Sequence, residues 1–230
     1  MKLHGLQKMT LLDYPGHVAC TVFLGGCDFR CPFCHNFELA DGSAKPVMES
    51  EELLDFLKKR VGLLDGVAVT GGEPCLHPGL PDLLRQIKGM GFAVKLDTNG
   101  CHPERLAALM GESLVDYVAM DIKNSPEKYA LTCGVESVDL EPIRRSIRLL
   151  IEGDTDYEFR TTVVREFHEK ADFGKIGEMI AGAKRYFLQS FIDRDTVPFE
   201  GLHAPSPEEM AEFREIAAAF VPDSSLRGTD

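Results

Sequence analysis

The chain has 230 residues, of which 44% are hydrophobic and 27% charged, with a formal net charge of −12 and a pI near 5.1. That length suits one large domain or two small ones, the composition excludes a disordered chain, and the acidity argues against a nucleic-acid binder working through a broad basic face. No apolar run of roughly 18 residues occurs and the opening MKLHGLQKMTLLDYPG lacks a signal-peptide core, so a cytoplasmic location with no membrane partner is expected.

In such a compartment the seven cysteines (Cys20, Cys27, Cys31, Cys34, Cys75, Cys101 and Cys133) read as thiols or metal ligands rather than disulfides. Along the chain, HVACTVFLGG predicts a strand, SEELLDFLKKRVGLL a helix, GVAVTGG a strand and LPDLLRQIKGMG a helix ending in glycine. AVKLDTNG predicts a strand running into a turn, PERLAALMGES a helix opened by proline, YVAMDIK a strand and DLEPIRRSIRLLIEG a helix. YEFRTTVV, ADFGKIGEMIAGAK, RYFLQSFI and SPEEMAEFREIAAAF continue as strand, weak helix, strand and closing helix.

About six β/α units in series predict an α/β fold of parallel strands joined by right-handed crossovers. A single domain is expected, with 1–17 as an N-terminal extension, 18–192 as the β/α core and 193–230 as a C-terminal helical segment. The stretch KNSPEKYALTCGVESV, between Ile122 and Asp139, reads as a long and therefore functional loop, and the tail SLRGTD as a frayed end.

Active sites of parallel α/β sheets gather at the carboxyl ends of the strands. Four polar signatures fall there: the loop with Cys27, Cys31 and Cys34; Thr70, Gly71, Gly72, Glu73 and Pro74; Asp97, Thr98, Asn99 and Gly100; and Asp121 with Lys123. Strand alternation adds that Ala119, Asp121 and Lys123 share a face, as do Glu158, Arg160 and Thr162. The apolar faces should pack under helices, which turns the charged faces toward a ligand able to partner them.

CDFRCPFCHN, residues 27 to 36, has the pattern C-x3-C-x2-C, three thiols where structural zinc takes four ligands. A zinc site would need completion by His35 or Cys75. Soft thiolates also select copper(I) or iron–sulfur clusters, and a [4Fe-4S] cluster on three thiolates keeps one iron open for a small molecule.

Here LLDYPGHVACTVFLGGCDFRCPFCHN, followed in order by TGGEP, DTNG and MDIK, resembles the radical S-adenosylmethionine (SAM) enzymes. Within them it is similar to the activases of glycyl-radical enzymes, above all those acting on anaerobic ribonucleoside-triphosphate reductase. The resemblance implies a partial (β/α)6 TIM-like barrel with a [4Fe-4S] cluster on Cys27, Cys31 and Cys34. SAM would chelate the open iron and be cleaved reductively to a 5'-deoxyadenosyl radical, which takes hydrogen from a glycine of the partner enzyme. The cofactor carries this chemistry, so no catalytic acid or base is expected among the side chains. An electron donor such as flavodoxin or ferredoxin is implied as a second partner.

By the same resemblance, Phe33 lies against the adenine or the cluster, Gly71 and Gly72 permit close backbone approach, Glu73 accepts from the SAM ammonium and Pro74 fixes the turn. Lys123 and Arg160 are candidates for the SAM carboxylate or ribose, with Asp97, Thr98 and Asp121 as polar partners, Asn99 and Gln189 as lesser ones, and a monovalent cation as an option among these oxygens. Blander readings stand beside these: Asp121 and Lys123 as a structural ion pair, Cys20, Cys101 and Cys133 as core or incidental thiols, and the histidines at 17, 77, 102, 168 and 203 without a role. Rival functions are activation of another glycyl-radical enzyme, radical SAM chemistry on a small molecule, or a non-catalytic zinc module.

Overall fold

Strand β3 (Ala19–Leu24) is buried along nearly its whole length, as its largely apolar run ACTVFL requires of an interior strand. In a computed structural model describing residues 1–228, it lies in the first of two compact units, Met1–Asp28 with Glu38–Ala119. There β2 (Gly5–Thr10) pairs antiparallel with β3, and β3 pairs parallel with β5 (Gly66–Gly71), which pairs parallel with β6 (Ala93–Thr98). The expected N-terminal extension therefore contributes a strand. Two short strands, β1 (Lys2–Leu3) and β4 (Met48–Glu49), pair beside it. Tyr14, from the LLDYPG turn, is buried with Ala19, Tyr117 and Ala119. Gly66 leaves room for its ring, since a Cβ there would stand 2.9 Å from Tyr14 Cε1.

The helices of this unit follow their apolar periodicity. α2 (Ser50–Lys58) buries Leu53, Leu54 and Leu57, and its start is fixed by a reciprocal cap between Glu49 and Glu52. α3 (Leu80–Gly89) buries Leu80, Leu83, Leu84 and Ile87, the i, i+3, i+4, i+7 set of one face, and α4 (Pro103–Gly111) opens with its proline. α1 (Phe37–Asp41) is a single turn after the cysteine loop, and β7 (Tyr117–Asp121) carries the chain out of this unit.

The second unit comprises Phe29–Phe37 and the chain from Met120 onward. Its strands β8 (Asp156–Val163), β9 (Tyr186–Ser190) and β10 (Ser224–Arg227) run parallel in that order. α6 (Leu140–Glu152) buries Ile143, Ile147 and Leu150; α7 (Lys170–Met179) and α8 (Pro207–Ala218) each start at a reciprocal cap.

Two expectations are corrected. The long loop after Ile122 contains a helix, α5 (Tyr129–Cys133), closed by Gly134 in the left-handed conformation. The frayed tail is a strand as far as Arg227, whose guanidinium makes two hydrogen bonds, of 2.7 and 2.9 Å, to the buried Glu158 carboxylate. Thr229 and Asp230 lie outside the described residues. Among those described, no helix is long and apolar enough to cross a membrane.

Candidate functional site

The residues singled out from the sequence gather in two groups, one in each unit. In the first, the glycine pair of TGGEP packs on the backbone that leads into Cys27. The Gly72 N–H donates to the Leu24 carbonyl at 2.8 Å and the Glu73 N–H to the Gly26 carbonyl at 2.7 Å. A Cβ on Gly72 would fall 2.0 Å from the Gly26 oxygen; one on Gly71, whose φ is +123°, would fall 2.2 Å from the Leu24 oxygen. The close approach expected of these glycines is thus made by the chain's own β3 end. His77 reinforces it, with Nε2 2.7 Å from the Gly25 carbonyl oxygen.

Glu73 ties the ends of β5 and β6 together. Its Oε1 accepts from the Cys75 N–H and the Thr98 hydroxyl, each at 2.9 Å, and its Oε2 from the Asn99 N–H at 2.7 Å. Its side chain caps the 3-10 turn Pro74–Leu76, with Pro74 at the first position. Burial pushes the Glu73 carboxyl upward, and the three donors hold against that.

Beyond Glu73, the Asn99 side-chain N–H faces the Cys27 Sγ at 3.9 Å and Asp28 at 3.3 Å, while His102 Nε2 lies 3.0 Å from the same Asp28 carboxylate. Asp97 does not join this set; it pairs with Lys95, a buried lysine on its own strand face.

In the second unit Cys31 and Cys34 share a tight turn, the Cys34 N–H donating to the Cys31 carbonyl at 3.1 Å. Asp121 is bracketed by Lys123 Nζ and Arg160 Nε, both at 3.0 Å. The ion pair weighed from the sequence exists, and it has a second cation. Burial alone would raise the Asp121 carboxyl, but Arg160 and then Lys123 bring it down to about 2, and Asp121 in turn holds Lys123 well above the usual lysine range. Two cations thus converge on one carboxylate, and these three side chains together are net positive. The Cys31 thiol is drawn down to about 7 by a hydrogen bond from Cys133, against burial and with help from Lys123; burial raises Cys34. Phe33, expected against adenine or cluster, is buried with its ring 5.9 Å from that of Phe167.

Sequence reasoning passed over Lys95, Asp28, His77, His102, His168 and Cys133. Lys95 lies two residues before Asp97 on β6, so strand alternation, applied to that strand, would have placed it on the same face. His168 was invisible because its partners are backbone: Nε2 lies 2.9 Å from the Lys123 carbonyl and Nδ1 3.2 Å from the Val164 N–H, a neutral ring that pins the end of MDIK.

No group of three or more His, Cys, Asp or Glu side chains among the described residues is gathered to hold a metal ion. A [4Fe-4S] cluster differs from one ion in placing each thiolate on a separate iron, and none of the three cysteines of the loop is in a disulfide. The donor chemistry therefore fits a cluster. Completion of a zinc site by the two named residues fits poorly. His35 stacks on Phe191 with Nε2 2.6 Å from the Ile192 carbonyl, and the buried Cys75 thiol is pushed well above its ordinary range.

Comparison with known proteins identifies a family. A family model described as the radical SAM superfamily matches residues 21–173. The chain is 31% identical to a provisionally named glycyl-radical enzyme activating enzyme of Methanocaldococcus jannaschii, over 97% of this chain and 94% of that one. It is 32% identical to the pyruvate formate-lyase-activating enzyme of Clostridium pasteurianum over 54% of this chain and 52% of that one. Among solved structures, a domain of pyruvate-formate lyase-activating enzyme from Bacteroides vulgatus matches with a TM-score of 0.56 at 20% identity, covering 71% of this chain and 99% of that one. The structure of anSMEcpe with AdoMet and a peptide bound matches with a TM-score of 0.60 at 18% identity, covering 86% of this chain and 57% of that one. At those identities the two structures speak to the fold, the mostly parallel α/β class expected from the sequence.

Proposed function

The chain belongs to the radical SAM superfamily, in its group of glycyl-radical enzyme activating enzymes, and on that footing we propose that it installs a glycyl radical on an anaerobic ribonucleotide reductase. The observation that carries the activase reading is the end-to-end relation to the M. jannaschii protein. The choice of reductase rests on the LLDYPGH opening with TGGEP, DTNG and MDIK in that order.

Members of this family use SAM and a [4Fe-4S] cluster on three cysteines; in this chain those ligands are Cys27, Cys31 and Cys34. When bound, the cluster and SAM together would supply the one-electron chemistry for hydrogen removal from a glycine α-carbon. Lys123 and Arg160, which bracket Asp121, are the cations offered to the SAM carboxylate. Glu73, with three of about four acceptor positions taken by Cys75, Thr98 and Asn99, has one for the ammonium. Thr98 and Asn99 are thereby held in place, and Asn99 in turn holds Asp28 beside Cys27.

The test is electron paramagnetic resonance on the reductase after incubation with anaerobically reconstituted protein, SAM, and flavodoxin, ferredoxin or dithionite as donor. A glycyl radical signal is expected. A signal on pyruvate formate-lyase and none on the reductase would move the target to another glycyl-radical enzyme; 5'-deoxyadenosine released with a metabolite and no partner protein would make the substrate a small molecule.

A further inference from the structure

The chain leaves β9 into residues 191–206, FIDRDTVPFEGLHAPS, which form no helix or strand before α8 begins. A structureless loop of that length in a compact fold is uncommon and usually carries function. Both of its ends are pinned. At the first, the buried Phe191 ring stacks on His35, next to Cys34, with the ring planes 9° apart. The Nε2 of His35 lies 2.6 Å from the Ile192 carbonyl oxygen, and the Phe191 N–H donates at 3.1 Å to the carbonyl of Val163, the last residue of β8. At the second, the Arg165 N–H donates to the His203 carbonyl at 3.0 Å, and the Glu166 carboxylate accepts from the His203 backbone N–H at 2.9 Å and from its ring at 2.7 Å. The loop thus spans the carboxyl ends of β8 and β9, with its root on the cysteine turn.

Between the two clamps the side chains face water. Residues 192–196 and 198–201 are exposed, among them Ile192 at 47% and Phe199 at 52%. From this we infer that the loop is a docking surface for the glycyl-radical enzyme that presents the glycine, with Phe199 and Ile192 as its apolar anchors. The inference rests on the activase reading of the site. A metabolite can reach the strand ends without touching their border, but a protein that delivers one of its residues there has to rest on it. Apolar side chains held in water by a loop fixed at both ends gain free energy when a partner covers them, and aromatic anchors of this kind dominate protein interfaces. Asp193, Arg194, Asp195 and Glu200 supply polar side chains for a rim, three carboxylates to one guanidinium. The partner face that fits is an apolar depression bordered by lysine or arginine.

The experiment measures radical installation at varied concentrations of the reductase, or of whichever glycyl-radical enzyme the wild type activates, for wild type, Phe199→Ala, Ile192→Ala and Leu63→Ala. Dithionite supplies the electron, so no donor protein has to bind. Leu63, an exposed leucine after α2, is the control. KM for the partner should rise about tenfold in Phe199→Ala, as truncation of an anchor predicts, and less in Ile192→Ala. In both, iron, sulfide, melting temperature and the 5'-deoxyadenosine released without partner should match wild type, and Leu63→Ala should match it throughout.

A KM within about twofold of wild type in Phe199→Ala and Ile192→Ala overturns the inference. An equal fall in partner-free 5'-deoxyadenosine release would make the loop a lid over SAM, and a defect seen with flavodoxin but not with dithionite would give the surface to the electron donor; either also overturns it. A wild type that places no radical on the reductase or on pyruvate formate-lyase sinks the activase reading itself, and the surface loses its partner with it.

Discussion

Asp121 shows how one carboxylate can be set by its neighbours. Its ordinary value is 3.8, and in the folded chain Arg160 and Lys123 overcome burial to bring it down to about 2. A depressed carboxylate stabilises the fold above its unfolded value, and that contribution is lost as the pH falls through the folded one. Urea unfolding at pH 5, 4, 3 and 2 should therefore show an acid-dependent loss that Asp121→Asn lacks, amounting to about 2 kcal/mol at most. Equal acid dependence in the two proteins would mean that the trio is not coupled. Glu73 gives a sharper case, because Glu73→Gln would turn an amide N–H toward the Cys75 N–H and Thr98 hydroxyl or toward the Asn99 N–H. A buried polar group left without its partner costs about 1–3 kcal/mol, so the metal-free variant should melt several degrees below wild type. An unchanged melting temperature would deny Glu73 its part in joining β5 to β6.

Elements depend on partners that lie far along the chain, and this decides what can be read from sequence. β3, β5, α3 and α6 were legible because each carries its own periodicity: largely apolar runs for the interior strands, apolar stripes for the helices. β10 was not, because SSLR has no apolar run and its Arg227 finds Glu158 only 69 residues away. Arg227→Ala should leave Glu158 charged and buried, at a cost of about 3–5 kcal/mol, and replacing both residues by apolar ones of similar volume should recover most of it. Chemical denaturation of the single and double variants checks this; a single variant as stable as wild type would show that β10 adds nothing. The site divides along the same line. Cys27, Cys31, Cys34 and the TGGEP and DTNG turns stand out as local patterns, whereas the target of Gly71 and Gly72 is the backbone of another strand, which no local pattern announces. Gly72→Ala is accordingly expected to disturb the Cys27 arm and lower iron content after reconstitution, with Gly89→Ala, whose Cβ would meet nothing within 4 Å, as the control.

For the whole molecule, the cofactor is also a structural term. A group that binds the folded chain and not the unfolded one stabilises by its binding free energy, about 4 kcal/mol when present at a thousand times its dissociation constant. At about 2–4 °C per kcal/mol for a chain of this size, a bound cluster is worth on the order of 10 °C. Reconstituted protein should thus melt that much higher than protein stripped by a chelator under anaerobic conditions, with dichroism as the readout. A cluster with an iron open to SAM is also open to oxygen, so hours in air should carry the reconstituted protein down to the stripped value as its absorbance bleaches. The variant with Cys27→Ala, Cys31→Ala and Cys34→Ala together should melt at one temperature before and after reconstitution. If that variant still gained stability from iron and sulfide, the cluster would lie on other thiols, Cys75, Cys101 and Cys133 among them, and the ligand assignment would have to move there.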